Sequence, residues 1–245
     1  MQRFIYHGSS QIVRTPGFRS GKAGNDYGLG FYCTDSPSLA GEWAVGMSSD
    51  GFINTYTIET DGLRVINLNS PEYCILHWLA VLLSFREFDS DSSGAYQAKE
   101  YIRSAFGADY QNCDCLIGFR ADDCNFWFAQ SFLGGKISYR ELNDAVRLTD
   151  TGRQFVLKSN RAFDRLLFNG YTIAKSSEYY PASMARERKA IARFAGALSG
   201  TAGRSKPGPR SHAGTAGGST RSGKELYVSD IVNERIRPYD RRLIY

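Results

Sequence analysis

The stretch near the C-terminus that cannot fold limits which residues of this chain can form a compact body. Residues 199–224 are rich in Gly, Ser, Ala and Pro and show no apolar periodicity. Such a composition buries too little apolar surface to offset the entropy of ordering it, so we predict a flexible linker. The chain then divides into a main domain of residues 1–198, the linker, and a C-terminal segment of residues 225–245. That segment is too short to fold alone, and we expect it to dock on the main domain, a second copy or a partner.

The positive charge of the chain is concentrated in the predicted linker. The formal net charge is +5 at pH 7, and residues 199–224 contain five Lys or Arg and no acidic residue. The rest of the chain is therefore neutral by formal count, which argues against a nucleic-acid-binding face on the main domain. The linker charges would add a weak, salt-sensitive attraction to phosphates.

The cysteines and apolar segments indicate a cytoplasmic protein. The five cysteines are irregularly spaced, which is not typical of a secreted disulfide framework, and Cys113 and Cys115 lack the spacing of a zinc site. We therefore expect free thiols and no bound metal. We also expect no signal peptide, and the longest apolar run, residues 74–83, is too short to span a bilayer.

Strands and helices alternate in the main domain without the regular β–α–β order of a parallel sheet. Runs rich in aromatic and β-branched residues predict strands at residues 4–8, 30–34, 52–59, 113–119 and 153–159. Helical spacing and N-cap residues predict helices at residues 71–86, 95–106, 121–135, 138–148, 160–168 and 181–198. This mixture predicts an α+β fold with a mostly antiparallel or split sheet.

Two motifs near the N-terminus, with an aromatic residue after them, form a recognisable set. His7-Gly8 ends the first predicted strand, Gly28-Leu29-Gly30-Phe31-Tyr32 leads into the second, and Trp43 follows eleven residues later. The set resembles signature segments of the ADP-ribosyltransferase superfamily, in the branch of poly(ADP-ribose) polymerases and diphtheria-type toxins with a His-Tyr-Glu triad. The chain also resembles an uncharacterised bacterial family of that superfamily, through Arg120–Asp123 before an aromatic helix and Lys158-Ser159 after a glutamine-containing strand.

The resemblance implies a fold, a cofactor and an activity. It implies an ADP-ribosyltransferase-like split antiparallel sheet with surrounding helices, and NAD⁺ as a substrate without a metal. The implied function is mono-ADP-ribosylation of a macromolecule by a cytoplasmic toxin or defence effector. Because the main domain is neutral, we expect a protein acceptor rather than a nucleic acid, and the C-terminal segment could dock an antitoxin or another partner.

The residue types of the motifs suit NAD⁺ chemistry. Two aromatic faces can hold a cationic pyridinium ring, the backbone of a glycine can approach a carboxamide, and a histidine can hydrogen-bond a ribose hydroxyl. The resemblance implies His7, Tyr32 and Gln154 as catalytic residues. It implies Gly8, Ser9, Tyr27, Gly30, Tyr32 and Trp43 as NAD⁺-binding residues.

The third position of the triad departs from the family pattern. Gln154 stands where the family has glutamate, and an amide can donate or accept hydrogen bonds but cannot take up a proton. A non-catalytic NAD⁺ or ADP-ribose-binding module therefore remains an alternative function, with NAD⁺ hydrolysis as a weaker one. Asp122 and Asp123 suit a helix N-cap, and they are also the nearest candidates for an acid that replaces the glutamate.

Overall fold

The structure is a computed structural model in which two small β-sheets pack face to face and helices cover them. It describes residues 1–19, 21–88, 92–121, 123–148, 152–202 and 225–244. Residues 203–224, most of the predicted linker, and Asp122 lie outside the described residues.

Two sheets form the centre of the fold. The first has the order β1-β3-β7 with antiparallel neighbours, and the second has the order β2-β6-β5-β4, antiparallel except for the parallel pair β4–β5. Tyr6 and Thr34 connect the sheets by exchanging backbone hydrogen bonds of 2.8 and 2.9 Å. The strands are β1 Gln2–Ser9, β2 Phe31–Cys33, β3 Gly51–Glu59, β4 Val65–Asn67, β5 Cys115–Phe119, β6 Arg153–Leu157 and β7 Leu166–Ala174.

The first helix begins at a local sequence signal, an N-capping serine. Ser36 caps the first helix, since its hydroxyl accepts a hydrogen bond of 3.3 Å from the backbone N–H of Leu39. No helix among the described residues is long and apolar enough to cross a membrane. The helices are α1 Pro37–Ala44, α2 Ile75–Leu82, α3 Ser93–Ala105, α4 Asp123–Leu133, α5 Tyr139–Leu148, α6 Asn160–Phe163, α7 Ser176–Ala202 and α8 Val228–Asn233.

The core has two main layers, one on each face of the second sheet. Ile5 and Tyr56 of the first sheet meet Phe31 and Phe155 of the second in the layer between the sheets. On the other face of the second sheet, α2 is buried on all sides and packs with residues of α3, α4 and α5. A smaller cluster lies where α1 covers one end of the first sheet. The predicted α+β class with mostly antiparallel strands is confirmed.

Several element predictions were wrong. The helix predicted at 160–168 ends at Phe163, because Leu166 and the residues after it pair with β3 as an edge strand. Tertiary pairing overrides helix propensity there. Helix α7 begins at Ser176 and contains Pro181, although Pro181 was predicted to start the helix, and α7 continues to Ala202, past the predicted start of the linker at 199. The three-residue strand β4 was not predicted.

The C-terminal segment packs on the main domain. Leu226 and Ile231 are buried in the same core layer as α2. The backbone of Leu226 accepts a hydrogen bond of 2.7 Å from the N–H of Tyr139, and the hydroxyl of Tyr101 donates one of 2.9 Å to the carbonyl of Ile236. The sequence left three docking surfaces open: the main domain, a second copy and a partner. In the structure the segment docks on the main domain of its own chain.

Candidate functional site

A cleft of about 730 Å³, hereafter the cleft, opens beside the Tyr6–Thr34 bridge between the two sheets. His7 reaches it from β1, Tyr32 from β2, Trp43 from α1 and Gln154 from β6. Gly30, just before β2, lines it as well. Residues far apart in the sequence thus meet on one surface, and five of the predicted site residues are among them.

His7 is held in one orientation by its neighbours. Its Nδ1 lies 2.7 Å from the carbonyl oxygen of Tyr32, and its ring lies 4.5 Å from the ring of Phe31 between centroids. A carbonyl can only accept, so Nδ1 carries the proton and the other ring nitrogen, Nε2, is an acceptor. Burial lowers the pKa of His7, which the bond to Tyr32 opposes, so the ring is neutral at pH 7.

Tyr32 stabilises the glycine-containing loop that precedes it through two hydrogen bonds of its hydroxyl group. Its hydroxyl donates a hydrogen bond of 2.6 Å to the carbonyl of Gly28 and accepts one of 3.1 Å from the N–H of Tyr27. Gly28 has φ = +70°, a conformation that favours glycine. Burial raises the pKa of Tyr32, so its hydroxyl stays protonated. Because the hydroxyl is occupied by the loop, Tyr32 offers the cleft a fixed ring rather than a proton donor.

A guanidinium group already covers the indole ring of Trp43. The central carbon of the Arg120 guanidinium lies 5.1 Å from the ring centroid, within the range of a cation–π contact. The indole N–H of Trp43 is buried and has no hydrogen-bond partner among the described residues. A cationic ligand ring that stacks on this face of Trp43 has to displace Arg120.

Gln154 lines the cleft and has an unpaired polar atom. The residue is 7% exposed and pairs with Gly118 across the second sheet. Its Oε1 is buried without a hydrogen-bond partner among the described residues. An unpaired buried acceptor costs about 1–3 kcal/mol, which a hydrogen bond from a donor would recover.

Gly8 does not line the cleft, because helix α1 packs directly against it. A Cβ atom at residue 8 would lie 1.9 Å from the carbonyl oxygen of Ala40. The glycine is explained by this close approach between a helix and a strand. Gly8 is not among the lining residues of the cleft, and its predicted backbone contact with a carboxamide stays a prediction.

Tyr27 and Ser9 also lie outside the cleft lining. Tyr27 is fully buried in the core beside α2, and its hydroxyl donates a hydrogen bond to the carbonyl of Phe119. The hydroxyl of Ser9 accepts a hydrogen bond of 3.2 Å from the N–H of Gln11. The structure therefore does not bring these two residues together with the others in the cleft, and their assignment to NAD⁺ binding stays a prediction.

Charged residues that the sequence motifs did not indicate line the cleft as well. Their formal charges cancel, and Arg120 has no ion-pair partner among the described residues. The described lining of the cleft is therefore neutral by formal count. These residues are Arg86, Arg120, Arg186, Asp26, Glu42 and Glu187.

Asp26 is held inside the wall of the cleft. Its Oδ1 accepts a hydrogen bond of 2.8 Å from Arg86, and its Oδ2 accepts one of 2.9 Å from the N–H of Ala121. Asp26 is 5% exposed, and this burial raises the pKa of its carboxyl, against the effect of Ala121 and Arg86. These two hydrogen bonds connect the loop before β2 to the residues that follow α2 and β5.

Helix α7 forms one wall of the cleft through a second buried ion pair. Glu42 accepts hydrogen bonds of 3.0 and 2.8 Å from Nε and Nη2 of Arg186, a bidentate arrangement. The ring of Tyr179 packs where a Cβ on Gly41 would lie, 2.4 Å away. Helix α7 is thereby attached to α1 beside Trp43.

The predicted acids Asp122 and Asp123 cannot be placed in the cleft. Asp122 lies outside the described residues, and so does the side chain of Asp123, whose backbone begins α4. The described residues contain no group of three or more His, Cys, Asp or Glu that could hold a metal ion.

A family model covers most of the residues that build the cleft. Residues 4–168, about two thirds of the chain, match the model described as protein of unknown function (DUF3990). The chain belongs to this family. The match to DUF3990 includes His7, Tyr32, Trp43 and Gln154, whereas α7 and the C-terminal segment lie beyond it. Comparisons with the curated proteins and with the solved structures gave no match.

Proposed function

We propose that this protein is an NAD⁺-dependent mono-ADP-ribosyltransferase with an ADP-ribosyltransferase-like fold. The observation that supports the proposal most is the meeting of His7, Tyr32, Trp43 and Gln154 in one cleft. These residues come from four elements, and the family resemblance joins the same residues independently of the structure. Scattered positions would have left the resemblance without a site.

The groups of the cleft suit the first step of such a reaction. The pyridinium ring of NAD⁺ would lie between Tyr32 and Trp43, in place of the Arg120 guanidinium. The Nε2 atom of His7, an acceptor, would bind a ribose hydroxyl, and Gln154 would offer its unpaired Oε1 to a second donor. Because the ring loses its positive charge as the bond to ribose breaks, fixed dipoles around the ribose would stabilise the transition state.

The setting of the proposed activity is suggested by the resemblance and by the charge of the chain. The resemblance implies a cytoplasmic toxin or defence effector. The main domain is neutral by formal count, which gives no support to a basic face for a nucleic acid and favours a protein as acceptor.

A non-catalytic NAD⁺ or ADP-ribose-binding module is the second candidate function. Two observations favour it: Gln154 replaces the glutamate of the triad, and Asp26 and Glu42 in the cleft are both bound to arginines. A weaker third candidate is hydrolysis of NAD⁺ with water as acceptor.

Calorimetry and chromatography with NAD⁺ separate these functions. Purified protein is titrated with NAD⁺, and released nicotinamide is quantified over time. Binding with release supports an enzyme, and binding without release supports the module. Absence of binding contradicts both.

Variants then test whether the cleft is responsible. His7→Ala and Tyr32→Ala should abolish nicotinamide release and the transfer of label from NAD⁺ to proteins of a bacterial lysate. Tyr96→Ala is the matched control, since Tyr96 is exposed on α3 and does not line the cleft. Equal activity in all four proteins would place the reaction elsewhere.

A further inference from the structure

Three carboxylates among the described residues line the cleft, and arginines bind two of them. Asp26 is held by Arg86 and by a backbone N–H, and Glu42 is held by both nitrogens of Arg186. Both carboxylates are less than a tenth exposed. A proton on either one would weaken its hydrogen bonds to the arginine that holds it, so neither is suited to take up a proton during a reaction.

Glu187 is the remaining carboxylate among the described residues that line the cleft. It is exposed, and no cation or hydrogen-bond donor among the described residues binds its carboxylate. The bidentate bond between the neighbouring Arg186 and Glu42 attaches this part of α7 to α1 beside Trp43. Ser183, one turn earlier on α7, lines the same cleft.

Gln154, which lines the cleft from β6, has an unpaired Oε1 that can accept a hydrogen bond but cannot take up a proton. Binding and proton uptake are therefore served by different residues, one on β6 and one on α7.

We propose that Glu187 is the general base of the reaction and accepts the proton of the incoming nucleophile. This inference rests on the proposed function. The bond between the nicotinamide nitrogen and C1′ of the ribose breaks, and its electron pair leaves with neutral nicotinamide. A bond forms between C1′ and the acceptor atom, whose proton passes to the carboxylate of Glu187 and then to water. Since Glu187 lies outside residues 4–168, this role belongs to the part of the chain beyond the family match.

Rescue by azide distinguishes a general base from a residue with a purely structural role. A general base speeds a reaction by about 10²–10⁴-fold, so Glu187→Ala should lower nicotinamide release in water by about 100-fold or more. NAD⁺ affinity and the melting temperature should stay at the wild-type level. Azide is an anionic nucleophile without a proton to lose, so it should restore nicotinamide release and yield ADP-ribosyl azide, detected by mass spectrometry. Glu178→Ala, an exposed glutamate on the same helix outside the cleft, should behave as wild type.

The outcomes separate the two proposals. If wild type releases nicotinamide and Glu187→Ala does so equally well, the role of Glu187 is refuted and the proposed function stands. The role is also refuted if the variant loses activity and azide does not restore it. If wild type neither binds nor cleaves NAD⁺, with or without azide, the proposed function fails and the role of Glu187 fails with it.

Discussion

Replacing Gly8 by alanine tests whether this glycine serves helix packing or a ligand. The added Cβ would lie 1.9 Å from the carbonyl oxygen of Ala40 and 3.0 Å from the backbone nitrogen of Ala44. Helix α1 would have to withdraw by about 1 Å before the closest contact became tolerable. Overpacking costs about 1–3 kcal/mol, and we expect the upper end because the clashing atoms are backbone and cannot rotate away. In a domain of this size, about 3 kcal/mol lowers the melting temperature by about 6–12 °C.

The assay is thermal and urea unfolding of the protein without ligand, followed by NAD⁺ titration. Gly94→Ala is the control, since a Cβ at residue 94 on α3 has open space around it, and it should be neutral or stabilising by up to about 1 kcal/mol. Wild-type stability of Gly8→Ala, combined with a loss of NAD⁺ binding, would refute the packing explanation. It would show that the glycine serves the ligand.

Three further predictions concern the walls of the cleft. Burial lowers the pKa of His7, so the native state binds fewer protons than the unfolded state as the pH falls through about 6.5, and the protein becomes less stable as the pH falls. His7→Gln should therefore reduce the loss in unfolding free energy between about pH 7.5 and 5.5. Asn54→Ala should cost about 1–3 kcal/mol in urea unfolding, because it removes the partner of the Val13 N–H in the cleft wall. Arg186→Met should cost about 3 kcal/mol in the same assay, because it leaves Glu42 buried without its partner.

Matched variants check each of these predictions. Burial also lowers the pKa of His77. A pH dependence that disappears in His77→Gln and persists in His7→Gln would therefore show that His77 causes the effect and would contradict the prediction for His7. An exposed asparagine such as Asn112 should tolerate alanine. The double change Glu42→Gln with Arg186→Met should recover most of the lost stability, and no recovery would mean that the ion pair is not the cause.

The α+β class and most elements were predictable because local signals agreed with the tertiary structure. The strands at His7 and Gln154 and helix α2 follow from short-range patterns that packing reinforces. Strand β7 was missed because residues 160–168 have helical spacing, and pairing with β3, distant in the sequence, decided their conformation. Pattern analysis within a short window cannot register that partner.

The cleft was predictable to the extent that a family pattern joined its residues. The ion pair between Glu42 and Arg186 joins residues separated by 144 positions, and no local spacing connects them. The same holds for Asp26 and Arg86, and for Arg120 on Trp43. The packing role of Gly8 was missed for the opposite reason, because a ligand contact and a close helix approach both require glycine. The chemical roles of the cleft residues stay predictions.

The buried C-terminal segment makes this chain a candidate for fragment complementation. Leu226, Ile231 and Leu243 lie in the core that also contains α2, so a backbone cut within residues 203–224 separates two pieces that share one hydrophobic interior. A fragment of residues 1–202 should expose that interior, and a synthetic peptide of residues 225–245 should bind it and restore a single cooperative unfolding transition. The boundary marked by composition is thus a place where the protein could be split and reassembled on demand.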